Sequence, residues 1–164
     1  MKNAIILALS LILFLSCSDD NSVDSNKEAV EVSFEEVLNY PSFLDFESAY
    51  NNYTLNSNFV DSIKTAISDD DKVYFYLKPD CGCTASYKLF PSVVKALDSA
   101  GFSKDNMVYY IMESEDNPYP ESDFITITDL PQFFVSNDSG VFDITNTSDT
   151  VKIEHVMYNA LKQQ

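Results

Sequence analysis

VYFYLKPDCGCTASYKLFP, residues 73–91, decides the reading of this chain. Val73 to Leu77 is an apolar run without helical period and rich in β-formers, the pattern of a strand buried on both faces of a sheet. Lys78, Pro79 and Asp80 make a turn, and Cys81 and Cys83 follow, split by Gly82. An amphipathic helix starts directly after them. A cysteine between a strand and a helix N-terminus meets unpaired N–H groups and the positive end of the helix dipole, which favour its thiolate. The segment therefore points to thiol redox chemistry as well as to an α/β architecture.

Working outward, the helix after the cysteines runs from about Thr84 to Ala100, with Leu89, Phe90, Val93, Val94 and Leu97 on one face and Gly101 as its stop. Pro91 lies inside it and is expected to kink it, because proline removes a backbone donor. Met107 to Met112 reads as a second buried strand, so strand, helix and strand form a parallel crossover. Glu113 to Asp123 is acidic and holds Pro118 and Pro120, which makes it a loop. Phe124 to Thr128 is short and β-branched. Gln132–Val135 and Val141–Ile144 are expected to form a hairpin around Ser136 to Gly140, and Glu154 to Lys162 a closing helix. Upstream, Asn58 to Ile67 has apolar residues at Phe59, Ile63 and Ile67, four apart, as a helix requires. Phe34 to Tyr53 is helical in two pieces broken by Pro41.

The order of strand, cysteine motif, kinked helix, strand, Xaa-Pro, hairpin and helix resembles the thioredoxin family over roughly Asn58 to the C-terminus. That family places its helix proline eight residues after its nucleophilic cysteine, and Pro91 stands eight residues after Cys83. The resemblance thus implies Cys83 as nucleophile, Ser86 in the place of the resolving cysteine, and Leu130-Pro131 as a cis-proline dipeptide that docks substrate. It implies an α/β, thioredoxin-like three-layer sandwich, with a mixed central sheet flanked by helices and an N-terminal helical extension. The chain departs from the pattern in several places. Gly82 replaces the usual Trp, Leu77 replaces a buried carboxylate, the helix expected between Met112 and Pro131 is reduced to a loop, and the partner thiol moves upstream to Cys81.

Cys81 and Cys83 can close a small Cys-Gly-Cys ring if Gly82 turns sharply. A ring so small is expected to be strained and readily reduced. Ser86 is a candidate hydrogen-bond partner of the Cys83 thiolate. Other readings are a redox-silent binding module in which Cys83 is a buried small residue, and a Cu(I) site made by Cys81, Cys83 and His155, the sole histidine. His155 has no spacing logic to the motif, so no metal ligand is assigned and no cofactor is expected. A peroxidase is disfavoured, because Asp80 replaces the Thr such a site needs and the chain has no Arg.

Residues 1–16 read as a signal peptide: Lys2, then an apolar run from Ala4 to Leu15 too short for a comfortable membrane span. Leu13-Phe14-Leu15-Ser16-Cys17 resembles a bacterial lipobox, although Phe14 and Leu15 are bulkier than usual. The resemblance implies that Cys17 is lipidated and anchors the chain to the outer membrane, periplasm-facing or surface-exposed. Asp19-Asp20 resembles a surface-export signal. Residues 17–29 read as a tether rich in Ser, Asp and Asn, 30–57 as the helical extension and 58–164 as the thioredoxin-like domain. Without Lys2 the chain keeps 9 Lys against 26 acidic residues, a net charge of −17, which disfavours nucleic acid and anionic lipid head groups. The expected partner is a thiol or disulfide protein substrate.

Overall fold

A computed structural model describes residues 27–145 and 151–163. The segment read as a signal peptide, Cys17 and most of the segment read as a tether lie outside the described residues.

Among the described residues five strands form one mixed sheet in the order β1-β3-β2-β4-β5. They are β1 (Val30–Val32), β2 (Lys72–Leu77), β3 (Met107–Ile111), β4 (Gln132–Asn137) and β5 (Gly140–Asp143). Central β2 pairs in parallel with β3, as the crossover predicts, and antiparallel with β4. Its residues Val73 to Leu77 are all buried, which is why no alternation shows in the sequence. The hairpin β4–β5 turns where Asn137 opposes Gly140, and Gly140 has a φ of 141°.

Among the described residues five α-helices accompany the sheet: α1 (Phe34–Val37), α2 (Phe46–Asn52), α3 (Ser57–Ala66), α4 (Phe90–Ala100) and α5 (Ile153–Leu161). Asn56 caps α3 by accepting from the Asn58 amide at 3.1 Å. Gly101 ends α4 in the left-handed conformation, φ 80°, and its N–H returns to the Leu97 and Asp98 carbonyls.

All five helices bury their apolar sides in one cluster. It joins Val37, Phe43, Phe46 and Ile63 to Phe90 and Leu97, and to the sheet residues Phe75, Tyr109 and Phe133. The other sheet face carries Tyr74, Tyr76, Tyr110 and Phe134 under Ile125, Ile127 and Leu130 of the long β3–β4 loop. The expected three layers are thus two layers of regular structure and one of loop.

Three further expectations are corrected. The segment 30–57 is not a helical extension alone, since β1 pairs antiparallel with β3 and forms a sheet edge. Phe124 to Thr128 forms no strand. The Tyr119 hydroxyl donates to the Ile125 carbonyl at 2.9 Å and accepts from the Ile127 amide at 3.3 Å, so a side chain takes the backbone groups a ladder would need. The helix after the cysteines opens with a π-helical turn, Ala85–Leu89, in which the Phe90 amide reaches the Ala85 carbonyl. The wide turn sits just before Pro91, whose missing N–H could not have served a regular α-turn there.

Candidate functional site

β2 ends at Leu77, and the turn that follows delivers both cysteines to the start of the long helix. The Cys83 carbonyl accepts from the Ser86 amide at 3.0 Å and the Tyr87 amide at 3.3 Å, so Cys83 stands at the helix N-terminus. Cys81 and Cys83 are joined by a disulfide, with their Cα atoms 5.2 Å apart. Both are half-buried. Gly82 needs no left-handed backbone to close this ring, and a Cβ added there would meet nothing within 4 Å. The sharp turn expected of Gly82 therefore does not depend on glycine: the turn between the cysteines is open to solvent and leaves room for a side chain.

Ser86, in the first helical turn, is fully buried, with its Oγ 3.4 Å from the Cys83 Sγ. It faces the sulfur rather than the helix surface. Two residues further on, Lys88 places its ammonium 5.7 Å from the Tyr87 ring centroid.

A cleft of about 580 Å³ opens beside Cys83. Its near wall is Cys83, Thr84, Ala85 and Lys88; its far wall is Thr128 to Gln132 with Asp143 and Thr145. The Leu130–Pro131 bond is cis, as expected. Gln132 organises the far wall. Its Oε1 accepts from the Thr128 amide at 2.9 Å and its Nε2 donates to Asp143 at 2.7 Å. Asp143 also accepts from the Thr145 amide, and the Thr145 hydroxyl from the Phe133 amide, each at 2.7 Å. The Leu130 amide is taken by the Asp129 carboxylate at 2.8 Å. The loop ahead of β4 is thereby held by its own side chains, opposite the sulfur.

The structure thus brings Cys81, Cys83, Ser86, Leu130 and Pro131 to one place. His155 is elsewhere: it lies on α5 with its ring stacked on Phe59 at 4.8 Å. Among the described residues no three His, Cys, Asp or Glu side chains are grouped to hold a metal. Sequence reasoning missed Lys88, Gln132 and Asp143 in the cleft. Only Gln132 left a signal, as the one polar residue opening the apolar run Gln132–Val135.

Among the described residues no helix is long and apolar enough to cross a membrane. Comparison with known protein families, with curated proteins and with solved structures finds no match.

Proposed function

We propose that this chain is a thiol–disulfide oxidoreductase of the bacterial envelope, built on a thioredoxin-like fold and anchored by lipid at Cys17. The observation that carries the reading is the Cys81–Cys83 pair at a helix N-terminus, facing the Pro131 loop across a cleft. Cys83 lines that cleft and Cys81 does not. A substrate thiolate entering it attacks the Cys83 Sγ. A bond from the substrate sulfur to Cys83 forms, the Cys81–Cys83 bond breaks, and Cys81 leaves as a thiolate that takes a proton from water. A second substrate thiolate then attacks its own sulfur in the mixed disulfide. The substrate departs oxidised, and Cys83 leaves as a thiolate favoured by the helix N-terminus and the Ser86 hydroxyl. Run backwards, the same steps reduce a substrate disulfide. The loop's own side chains hold the Thr128, Leu130 and Phe133 amides, so an extended substrate chain lying along the far wall displaces the Asp129 carboxylate from the Leu130 amide.

The test uses the full chain carrying Cys17→Ser, which leaves two thiols, and a reporter protein whose disulfides form or reshuffle measurably. The chain accelerates that exchange, Cys83→Ser abolishes the acceleration, and Cys81→Ser accumulates a mixed disulfide on Cys83. Thiols that stay unreactive, with no acceleration, sink the enzymatic reading and leave a binding module on this fold. Fatty-acid labelling of the wild type but not of Cys17→Ala checks the anchor separately.

A further inference from the structure

Ser42 lies 37 residues upstream of Pro79, in the segment that sequence reading set outside the domain. Its hydroxyl donates to the Pro79 carbonyl at 2.8 Å, and its amide donates to the same oxygen at 3.3 Å. Pro79 belongs to the turn that carries Cys81, whose own amide makes only a 3.5 Å contact back to the Lys78 carbonyl. The next residue, Phe43, is 2% exposed and packs its ring edge-on against Phe90 at 5.2 Å. Phe90 opens α4, the continuation of the helix that begins beside Cys83. A short bridge therefore runs from the Cys81 turn, through Ser42 and Phe43, to the helix of Cys83.

From this geometry we infer that Ser42 is a positioning residue of the disulfide site, fixing the Cys81 turn against the Cys83 helix so that Cys81 is held ready to close the ring. The inference rests on the oxidoreductase reading. The step it governs is resolution of a mixed disulfide. The Cys81 thiolate attacks the Cys83 Sγ, the Cys81–Cys83 bond forms, the bond from Cys83 to the outside sulfur breaks, and the outside thiol leaves with the electron pair. How often Cys81 is in place for that attack is its effective concentration, which depends on how well the geometry is set before reaction. A free turn samples many arrangements; one tied at Pro79 samples few.

Glutathione serves as the probe. The full chain carrying Cys17→Ser is equilibrated with reduced and oxidised glutathione and quenched in acid, and mass spectrometry counts ring, mixed disulfide and dithiol. The ratio of ring to mixed disulfide at fixed glutathione reports the effective concentration of Cys81. Ser42→Ala removes the shorter bond and keeps the amide one, and lowers this ratio roughly fivefold, the factor one ordinary hydrogen bond is worth. Ser42→Thr keeps the hydroxyl and restores the ratio to about wild type, within the same allowance. The urea midpoint of the reduced forms is measured alongside, because a merely structural serine would move the midpoint and not the ratio. An unchanged ratio in Ser42→Ala overturns the assignment whatever happens to stability. Equal loss in Ser42→Ala and Ser42→Thr also overturns it, since the hydroxyl would not be the cause. A parent chain that takes up no glutathione at all removes the oxidoreductase reading itself, and the role of Ser42 with it.

Discussion

The two faces of the sheet solve the same burial problem by different chemistry. On the helix side, Phe90 stands among the rings of Phe34, Phe43, Phe46, Phe75, Tyr109 and Phe133, with centroids 5.2 to 6.4 Å away. On the loop side, the Tyr76 and Tyr110 rings stack at 5.3 Å, and both hydroxyls end on one carboxylate. Tyr76 donates to Glu121 at 3.0 Å and Tyr110 at 2.9 Å. Helices bring enough hydrocarbon to cover a sheet unaided. A loop brings fewer apolar side chains, so here the cover is completed by polar groups that must find partners. The candidate site lies on the seam: Cys83 packs against the helix-side cluster, and Leu130 belongs to the loop-side one.

If that contrast is right, the faces fail differently. Phe90→Ala empties the centre of the ring cluster and costs about 3–5 kcal/mol. Glu121→Ala removes the shared acceptor, strands two phenol hydroxyls and costs about 2 kcal/mol. Tyr76→Phe removes a donor and leaves Glu121 with Tyr110, so it costs less than Glu121→Ala. Urea unfolding of the three variants gives the order. A Tyr76→Phe loss equal to that of Glu121→Ala would mean that the Tyr76 hydroxyl alone carries the acceptor's contribution, since the ring stays in place; a negligible loss in both would mean that ring packing, not the acceptor, holds the loop.

Legibility in the sequence follows the same division. Val73–Leu77 and Met107–Ile111 could be read because a strand buried on both faces is apolar at every position. α3 and α5 agree with expectation to within one residue, because a helical stripe is a local pattern, whereas Phe34 to Tyr53 breaks into shorter pieces and the helix after the cysteines opens with a π-turn. β1 could not be read. Val30–Val32 is three residues long, and what makes it a strand is β3, some 80 residues away, with Val30 opposite Ile111. Phe124 to Thr128 misled for the converse reason: its β-propensity is genuine, but Tyr119 occupies its backbone groups. At the site, Cys83 and Ser86 could be placed by their spacing to Pro91, and Pro131 by the strand it precedes. Asp143 enters the cleft from β5, and Ser42 reaches Pro79 only through the tertiary fold.

Alkaline titration sharpens the comparison. Six tyrosines have hydroxyls raised above the ordinary phenol value. Tyr50, Tyr53 and Tyr109 pack on the helix side, and Tyr74, Tyr76 and Tyr110 on the loop side. Burial is the first cause in each. Glu121 adds to it on the loop side; on the helix side Glu154 adds to it at Tyr53 and Asp98 at Tyr50 and Tyr109. A folded chain that holds its phenol protons more tightly than the unfolded chain is fully stable below the unfolded value of about 10 and loses stability as pH rises past it. The urea midpoint therefore falls above about pH 10. Replacing Tyr74, Tyr76 and Tyr110 by Phe removes about half of that slope if the two faces hold their protons alike. A slope that survives the triple replacement undiminished assigns the alkaline loss to the helix side alone.

The smallest expected effect is at the seam. Ser86 is fully buried with its Oγ 3.4 Å from the Cys83 Sγ. If the proposed chemistry holds, its hydroxyl donates to the thiolate of the reduced chain and adds to the pull of the helix N-terminus. One modest hydrogen bond, about 0.7 kcal/mol, equals roughly half a pKa unit. In the reduced chain, with Cys81 and Cys17 replaced by Ser, the alkylation rate against pH gives the Cys83 pKa directly. It lies below the free-cysteine value of about 8.5 and rises by roughly half a unit in Ser86→Ala. Ser86→Cys with Cys81 retained gives the complementary result: the introduced thiol competes for Cys83, and mass spectrometry of the oxidised chain finds the bond between residues 83 and 86. A Cys83 pKa at the free value, unmoved by Ser86→Ala, would mean that neither the helix end nor the hydroxyl acts on the sulfur. The seam would then be a place where two surfaces meet and not a place where chemistry is tuned.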